Sequence, residues 1–240
     1  MENRKRTKKN LLYFPLGTVG RDMVYSLINS YLLTFVLFTH TLDGAQVAAV
    51  TGIMIAARVF DALNDPVMGN IIERTRSRYG KFKPWLLAGG VSTSVVISLL
   101  FNVQLQGWAF VWFFAVMYFA FSITYTMSDI SYWGMIPALG SDADARNQFT
   151  SRATLFAGIG GVLASILIPM FSTGSSALGG STAVAYGRIA LAVAVLSPLF
   201  ILFTLFGVRE NREEIPVEKQ KERFSLRKVF LTIARNDQLV

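Results

Sequence analysis

Seven ionisable side chains lie within stretches of sequence that are otherwise apolar, and they are the residues best suited to do chemistry in this chain. They are Arg21, Asp22, Arg58, Asp61, Asp65, Asp129 and Arg152. A charged group inside a long apolar helix is costly, so it usually marks a binding site or a transport pathway. Four of the seven are acids and three are bases, so one carboxylate lacks a partner if all ionise. A buried carboxylate without a partner either takes up a proton or binds a cation.

The spacing of one group of these residues predicts a cation site. Arg58, Asp61 and Asp65 follow an i, i+3, i+7 pattern, which places them on one face of a helix. Asn64 lies beside them in sequence, and Thr126 offers a hydroxyl from another apolar stretch. Carboxylate, amide and hydroxyl oxygens suit a hard cation. We therefore expect Asp61 and Asp65 to bind Na⁺ or a proton, with Asn64 and Thr126 as further ligands.

A second group has the chemistry of a sugar site. Asp22, Asp129 and Arg152 offer several directional hydrogen bonds. Trp133 lies four residues after Asp129, so both share a helical face, and an aromatic ring matches the apolar C–H face of a sugar. An aromatic residue at the end of a membrane span more often anchors the helix at the interface, and both interpretations of Trp133 stay open. For all seven ionisable residues, the alternative to a binding site is that they only form ion pairs between helices.

Composition excludes most other classes of protein. The 240 residues are 52% hydrophobic and 16% charged, with no cysteine and one histidine, whereas soluble domains carry about 25% charged residues. The absence of cysteine from the sequence excludes disulfide scaffolds, thiol nucleophiles and cysteine-bound metals. The sequence offers no nucleophile–base pair, so we expect neither an enzyme nor a cofactor. The composition predicts an integral membrane protein.

Six apolar stretches are long enough to cross a bilayer core, which requires about 20 residues in a helix. They lie at about 11–39, 45–72, 84–104, 108–137, 150–172 and 186–208, and we number them spans 1 to 6. An all-α membrane fold is expected, because no segment shows the alternation of a membrane β-barrel. The predicted domains are a basic N-terminal segment (1–10), the membrane domain (11–208) and a tail (209–240). In the tail, Ser225 can cap a short amphipathic helix.

The distribution of Lys and Arg predicts the orientation. These residues precede span 1, fill the connection between spans 2 and 3, and recur after span 6, whereas HTLDG, LQG and STGSSALGGSTAVA contain none. By the positive-inside rule, both termini are cytoplasmic. The net charge of +8 thus indicates topology and attraction to anionic membrane lipids rather than binding to nucleic acid.

Five motifs together resemble one transporter family. They are GRD at 20–22, RVFDALNDPVMGNI in span 2, TRSRYGKFKPWLL in the following connection, YTMSDISYWGMIPAL at 125–139 and TSRATLF at 150–156. The pattern resembles the glycoside–pentoside–hexuronide:cation symporters, the melibiose-permease-like branch of the major facilitator superfamily. The resemblance implies a six-helix N-terminal bundle built from a 3+3 inverted repeat.

The resemblance also implies roles for the residues above. Asp61 and Asp65 would bind the coupling cation with help from Asn64 and Thr126, and Arg58 would balance charge. The sugar would contact Asp22, Asp129, Trp133 and Arg152, with assistance from Arg21. Members of the family take up sugars or glycosides with Na⁺, Li⁺ or H⁺ across the cytoplasmic (inner) membrane by alternating access, with no chemistry on the substrate.

Length separates the chain from this family, whose members have twelve spans in two halves. The resemblance predicts a nearly complete cation site and an incomplete sugar site, which needs either a C-terminal six-helix half or a second copy of the chain. A truncated fragment, a split transporter and a homodimeric half-size transporter are the open explanations. A membrane-embedded assembly or regulatory subunit that does not transport is the alternative function. Saturable, residue-specific cation binding would distinguish transport from that alternative.

Overall fold

The computed structural model describes residues 2–140 and 142–208, with side chains from Lys9 onward, and these residues form helices and short connections without a strand. They belong to one compact unit, Met1–Glu210. The second unit, 211–240, lies outside the described residues, and so does the amphipathic helix predicted after Ser225. Six helical segments are long and apolar enough to cross a membrane, as the sequence predicts.

The six spans are built from eight α-helices. Four spans (2, 3, 5 and 6) are single helices, and spans 1 and 4 are interrupted. The helices are α1 (Glu2–Ser26) and α2 (Leu32–Thr39) in span 1, α3 (Gly44–Arg74) in span 2, α4 (Lys83–Asn102) in span 3, α5 (Gly107–Gly134) and α6 (Ile136–Leu139) in span 4, α7 (Ala143–Ser172) in span 5 and α8 (Thr182–Gly207) in span 6. A π-helical segment, Leu27–Tyr31, joins α1 to α2.

Two spans begin well before their predicted bounds. Span 5 begins at Ala143 instead of about 150, because the Asp142 carboxylate accepts a hydrogen bond from the Ala145 N–H and caps the helix. Helical hydrogen bonding therefore extends beyond the apolar stretch. Span 1 begins at Glu2, so the basic N-terminal segment is continuous with it, and its π-helical segment was not predicted.

The two ends of the bundle differ in charge. The basic end carries the start of span 1, the connections between spans 2 and 3 and between spans 4 and 5, and the end of span 6. The neutral end carries the other three connections. At the basic end, the Lys83 ammonium donates to the Leu205 and Val208 carbonyls, both at 2.6 Å. A cation at the C-terminus of span 6 offsets the partial negative charge of the last carbonyls. The Trp85 indole donates to the Thr75 hydroxyl at 2.8 Å. This hydrogen bond joins the two ends of the connection between spans 2 and 3.

The spans pack in the order 5–1–6–3–4–2. Span 1 packs against spans 5 and 6, span 3 against spans 6 and 4, and span 2 against span 4. Gly160 of span 5 lies directly against the backbone of Val19, where any Cβ would meet the Val19 carbonyl. This small residue lets spans 5 and 1 approach closely.

The core consists of two apolar layers, one towards each end. The neutral-end layer includes Phe35, Phe101, Phe110, Phe114 and Tyr186. The basic-end layer includes Phe14, Ile72, Leu86, Tyr132 and Phe149. The ionisable residues of spans 1, 2 and 4 fall between the positions that each span contributes to the two layers. The site is therefore a polar seam across the middle of the bundle.

Candidate functional site

Arg21 is the centre of one polar cluster, and its side chain is only 4% exposed. Its guanidinium Nη1 lies 2.8 Å from Asp129 Oδ1, and Nη2 lies 3.4 Å from Asp22 Oδ2. Spans 1 and 4 are thus joined by an ion pair whose guanidinium is buried. Asp22 and Asp129 retain 21% and 36% exposure, so their carboxylates stay accessible to hydroxyl groups.

Two aromatic rings complete the Arg21 cluster, which we define as Arg21, Asp22, Asp129, Tyr132 and Trp133. The guanidinium carbon of Arg21 lies 4.7 Å from the ring centroid of Tyr132 and 5.1 Å from that of Trp133. Both are within the range of cation–π attraction. The structure therefore places the Trp133 ring beside the polar seam, next to the charged groups proposed from sequence to bind a sugar.

Tyr132 connects the Arg21 cluster to the basic-end layer. Its ring is fully buried and stacks on Phe14 with a centroid distance of 4.3 Å. Its hydroxyl donates to the Phe14 carbonyl at 2.7 Å. These contacts fix one side of the Arg21 cluster to a rigid part of the core, which pre-organises its charges.

Asp61 and Asp65 form a second polar group on span 2, opposite two hydroxyls of span 4. The Ser122 hydroxyl donates to Asp61 Oδ1, and the Thr126 hydroxyl donates to Asp65 Oδ1 at 3.1 Å. We call these four residues the acidic corner. The structure brings three of the predicted cation ligands together here, and it adds Ser122.

Arg58 lies at the edge of the acidic corner. Its Nη1 is 3.8 Å from Asp61 Oδ2, and its side chain is 55% exposed. Its Nη2 donates to Asn29 Oδ1 of span 1. Asn64 also faces inward, and its amide nitrogen is buried with no hydrogen-bond partner among the residues that the structure describes. Arg58 thus supplies positive charge near Asp61 without a short contact to it.

One helical face of span 4 contributes residues to both the acidic corner and the Arg21 cluster. Ser122 and Thr126 contact span 2, and Asp129 contacts Arg21 of span 1. Trp133 follows at the next turn. Residues spaced by three or four lie on one helical face, so the acidic corner and the Arg21 cluster are neighbours along a single helix.

Arg152 occupies a different level from the other predicted sugar residues. Its Nη1 donates to the Leu11 carbonyl at 3.4 Å, ten residues before Arg21 on span 1 and about 15 Å along the helix axis. The next residue, Ala153, belongs to the basic-end layer. Among the described residues, no ion pair joins Arg152 to Asp22 or Asp129.

Three residues that contact the predicted groups were not proposed as site residues from sequence: Asn29, Ser122 and Tyr132. Ser122 carried a usable signal, because it lies four residues before Thr126 on the same face. Asn29 lies seven residues after Asp22, near the same helical face of span 1, but nothing in the sequence pairs it with Arg58. In the sequence Tyr132 cannot be distinguished from an ordinary core aromatic residue, and only its contacts in the structure show its role.

Comparison with known proteins identifies the family. A family model described as MFS/sugar transport protein matches residues 13–240. The chain belongs to this family. The family is one of transporters rather than enzymes, and the resemblance seen in the motifs is confirmed. The chain is a multi-pass membrane protein whose six spanning helices fit a major-facilitator bundle.

Several curated relatives match nearly the whole chain. The lactose permease of Lactobacillus helveticus is 31% identical over 262 residues, covering 100% of this chain and 40% of that protein. The raffinose carrier protein of Pediococcus pentosaceus is 30% identical over 243 residues, covering 95% and 38%. The inner membrane symporter YicJ of Escherichia coli (strain K12) is 26% identical over 243 residues, covering 99% and 50%. The chain therefore spans half the length of these relatives or less.

Proposed function

We propose that this bundle is the N-terminal half of a sugar symporter, in which cation binding at the acidic corner drives sugar binding at the Arg21 cluster. The observation that carries the proposal is the pairing of Asp61 and Asp65 with hydroxyls from the helix that also bears Asp129. The lactose permease and the raffinose carrier support sugar as the substrate, and the symporter YicJ supports coupling to a second solute.

The acidic corner has the chemistry of a monovalent cation site. Its two carboxylates and two hydroxyls supply hard oxygen donors. A hydroxyl that donates to a carboxylate can turn and offer a lone pair to Na⁺ or Li⁺. Asn64 can add its amide oxygen, and Arg58 balances the remaining charge. If H⁺ is the coupling ion, Asp61 or Asp65 binds the proton in place of Na⁺ or Li⁺.

The Arg21 cluster has the chemistry of a sugar site. Asp22 and Asp129 accept hydrogen bonds from sugar hydroxyls, and Arg21 orients both carboxylates. Trp133 offers a ring for the apolar face of the sugar. In this proposal Arg152 contributes from the basic end, after the bundle closes around the substrate. A second six-helix half completes the site, and a second copy of the chain is the other way to supply it.

Coupling follows from the shared helix. A cation at Asp61 and Asp65 neutralises the acidic corner and orders the stripe of span 4 on which Asp129 lies. Sugar affinity rises, and by linkage the sugar raises cation affinity by the same factor. Alternating access then moves both across the cytoplasmic (inner) membrane, with both termini in the cytoplasm as the distribution of Lys and Arg indicates.

Thermal unfolding of the purified chain in detergent tests the cation site. We expect Na⁺, but not K⁺ at equal ionic strength, to raise the unfolding midpoint saturably, because a ligand of the folded state stabilises it by RT ln(1+[L]/Kd). Asp61→Ala should abolish this response. Asp144→Ala is the matched control, since that carboxylate is exposed near the start of span 5.

The same experiment separates the coupling ions and the alternative function. Stabilisation by a change of pH alone, lost in Asp61→Ala, would assign H⁺ as the coupling ion. If neither Na⁺, Li⁺ nor pH acts through Asp61, the cation site is wrong, and the acids only join helices as in an assembly or regulatory subunit.

A further inference from the structure

We propose that Asn29 holds the Arg58 guanidinium away from Asp61 and thereby keeps the acidic corner open to its cation. Asn29 is a positioning residue in this view, because it acts on the cation through Arg58. The inference rests on the proposed function, since it concerns the same cation site. It assigns a role to the π-helical segment of span 1.

The hydrogen bonds of the Asn29 amide determine its orientation. Its Nδ2 donates to the Tyr25 carbonyl at 3.2 Å, and its Oδ1 accepts from Arg58 Nη2. A carbonyl can only accept and a guanidinium can only donate. The two partners therefore permit a single orientation of the amide, and the amide anchors Arg58 to the backbone of span 1.

The anchor has a measurable consequence at Asp61. Arg58 Nη1 stops 3.8 Å from Asp61 Oδ2, whereas a charge-assisted hydrogen bond would be about 2.7–2.9 Å long. Arg21 Nη1 approaches Asp129 Oδ1 to 2.8 Å in its ion pair. Since Arg58 and Asp61 are three residues apart on one helix, a free Arg58 could approach as closely. Asn29 thus prevents the guanidinium from occupying the place of the cation.

The local backbone places Asn29 for this role. Asn29 lies in the middle of the π-helical segment Leu27–Tyr31. Single π-helical turns are rare and frequently occur at functional positions. Asp22 of the Arg21 cluster precedes this segment on the same span. Span 1 therefore contacts both polar groups, and a shift of Arg58 on cation binding acts directly on the helix that carries Arg21 and Asp22.

Sodium titration of variants tests the inference in the full 240-residue chain. Thermal unfolding is followed against NaCl, with choline chloride holding the ionic strength constant, and LiCl is the second probe. We expect Asn29→Ala to raise the half-saturating Na⁺ concentration about tenfold, the lower end of the range for losing an interaction just outside the ligands of a metal site. Ser30→Ala is the matched control, because Ser30 is exposed in the same segment, and its half-saturating concentration should equal that of the wild-type chain.

Two further variants test whether Asn29 acts through Arg58. In the Arg58→Gln background, Asn29→Ala should cause no further shift, because the competing guanidinium is gone. Asn29→Asp keeps an oxygen acceptor for Arg58 and should respond to Na⁺ nearly as the wild-type chain does. This variant also keeps the test decisive if Asn29→Ala does not fold.

Three results would overturn the inference. They are equal half-saturating concentrations in Asn29→Ala and Ser30→Ala, an Asn29→Ala shift that persists in Arg58→Gln, or an Asn29→Asp shift as large as that of Asn29→Ala. Each leaves the cation site itself intact. A wild-type chain that neither Na⁺ nor Li⁺ stabilises would overturn the role of Asn29 together with the proposed Na⁺ or Li⁺ site, so the two failures are distinguishable.

Discussion

The Arg21 cluster and the acidic corner use the same residue types in opposite ways. Arg21 is 4% exposed and pairs with both neighbouring carboxylates. Arg58 is 55% exposed and stays 3.8 Å from the carboxylate it faces. The first arrangement pairs its opposite charges with one another, although Arg21 Nε and Nη1 have no hydrogen-bond partner among the described residues. The second leaves carboxylates supported mainly by hydroxyls. A closed charge group stabilises a fold or orients a substrate, and an open one can accept a cation.

The packing order of the spans explains this difference. Arg21 projects from span 1, which packs against spans 5 and 6, and it meets span 4 beside the buried Tyr132. Asp61 and Asp65 project from span 2, which packs against span 4 at the end of the series. An unpaired charge is costly at Arg21, which is buried, and less costly at Asp61, which is partly exposed.

The largest expected effect is on stability, at Arg21. Arg21→Met leaves Asp22 and Asp129 facing each other without their cation, and removing one partner of a buried ion pair costs about 3 kcal/mol or more. Because both acids keep some exposure, we expect the lower end of that range. The free energy of unfolding in detergent measures it. Arg152→Met is the matched control, with an expected cost below about 0.5 kcal/mol for an exposed side chain, and equal costs would contradict the comparison.

A smaller effect is expected on cation affinity, at Ser122. Ser122→Ala removes the hydroxyl that donates to Asp61. A hydrogen bond worth about 1 kcal/mol corresponds to a roughly fivefold higher half-saturating Na⁺ concentration. Ser98→Ala is the matched control, since that hydroxyl donates to the Ser94 carbonyl of its own helix. An unchanged half-saturating Na⁺ concentration in Ser122→Ala would show that Ser122 is not a ligand.

The smallest effect is expected at His40, which lies outside both polar groups and sets the background for their pH response. Its ring stacks on Phe110 with a centroid distance of 3.8 Å, and burial lowers the pKa of the imidazole below its ordinary value of 6.5. The unfolded chain therefore binds a proton that the folded chain does not, and stability falls as pH drops below about 6.5. His40→Gln should remove this slope in pH-dependent unfolding. A slope unchanged in His40→Gln but lost in Asp61→Ala would assign it to the acidic corner instead.

Much of the fold could be predicted because it depends on local properties. An apolar stretch of about 20 residues is sufficient for a span, and all six spans were located this way. Helical spacing was sufficient to place Asp61 and Asp65 on one face, and the motifs around them indicated the family. These features depend on residues close together in sequence.

Only the tertiary structure decided which polar groups meet. Arg152 lies in one of the five family motifs, as the other predicted sugar residues do, yet its guanidinium contacts the Leu11 carbonyl at the level of the basic-end layer. The partners of Asp61 and Arg58, Ser122 and Asn29, come from spans 4 and 1. The sequence alone determined the spans and the residues that face a polar seam, because helix periodicity and membrane thickness act locally. The contacts across that seam depend on the packing order and relative heights of helices, and short-range patterns do not encode either.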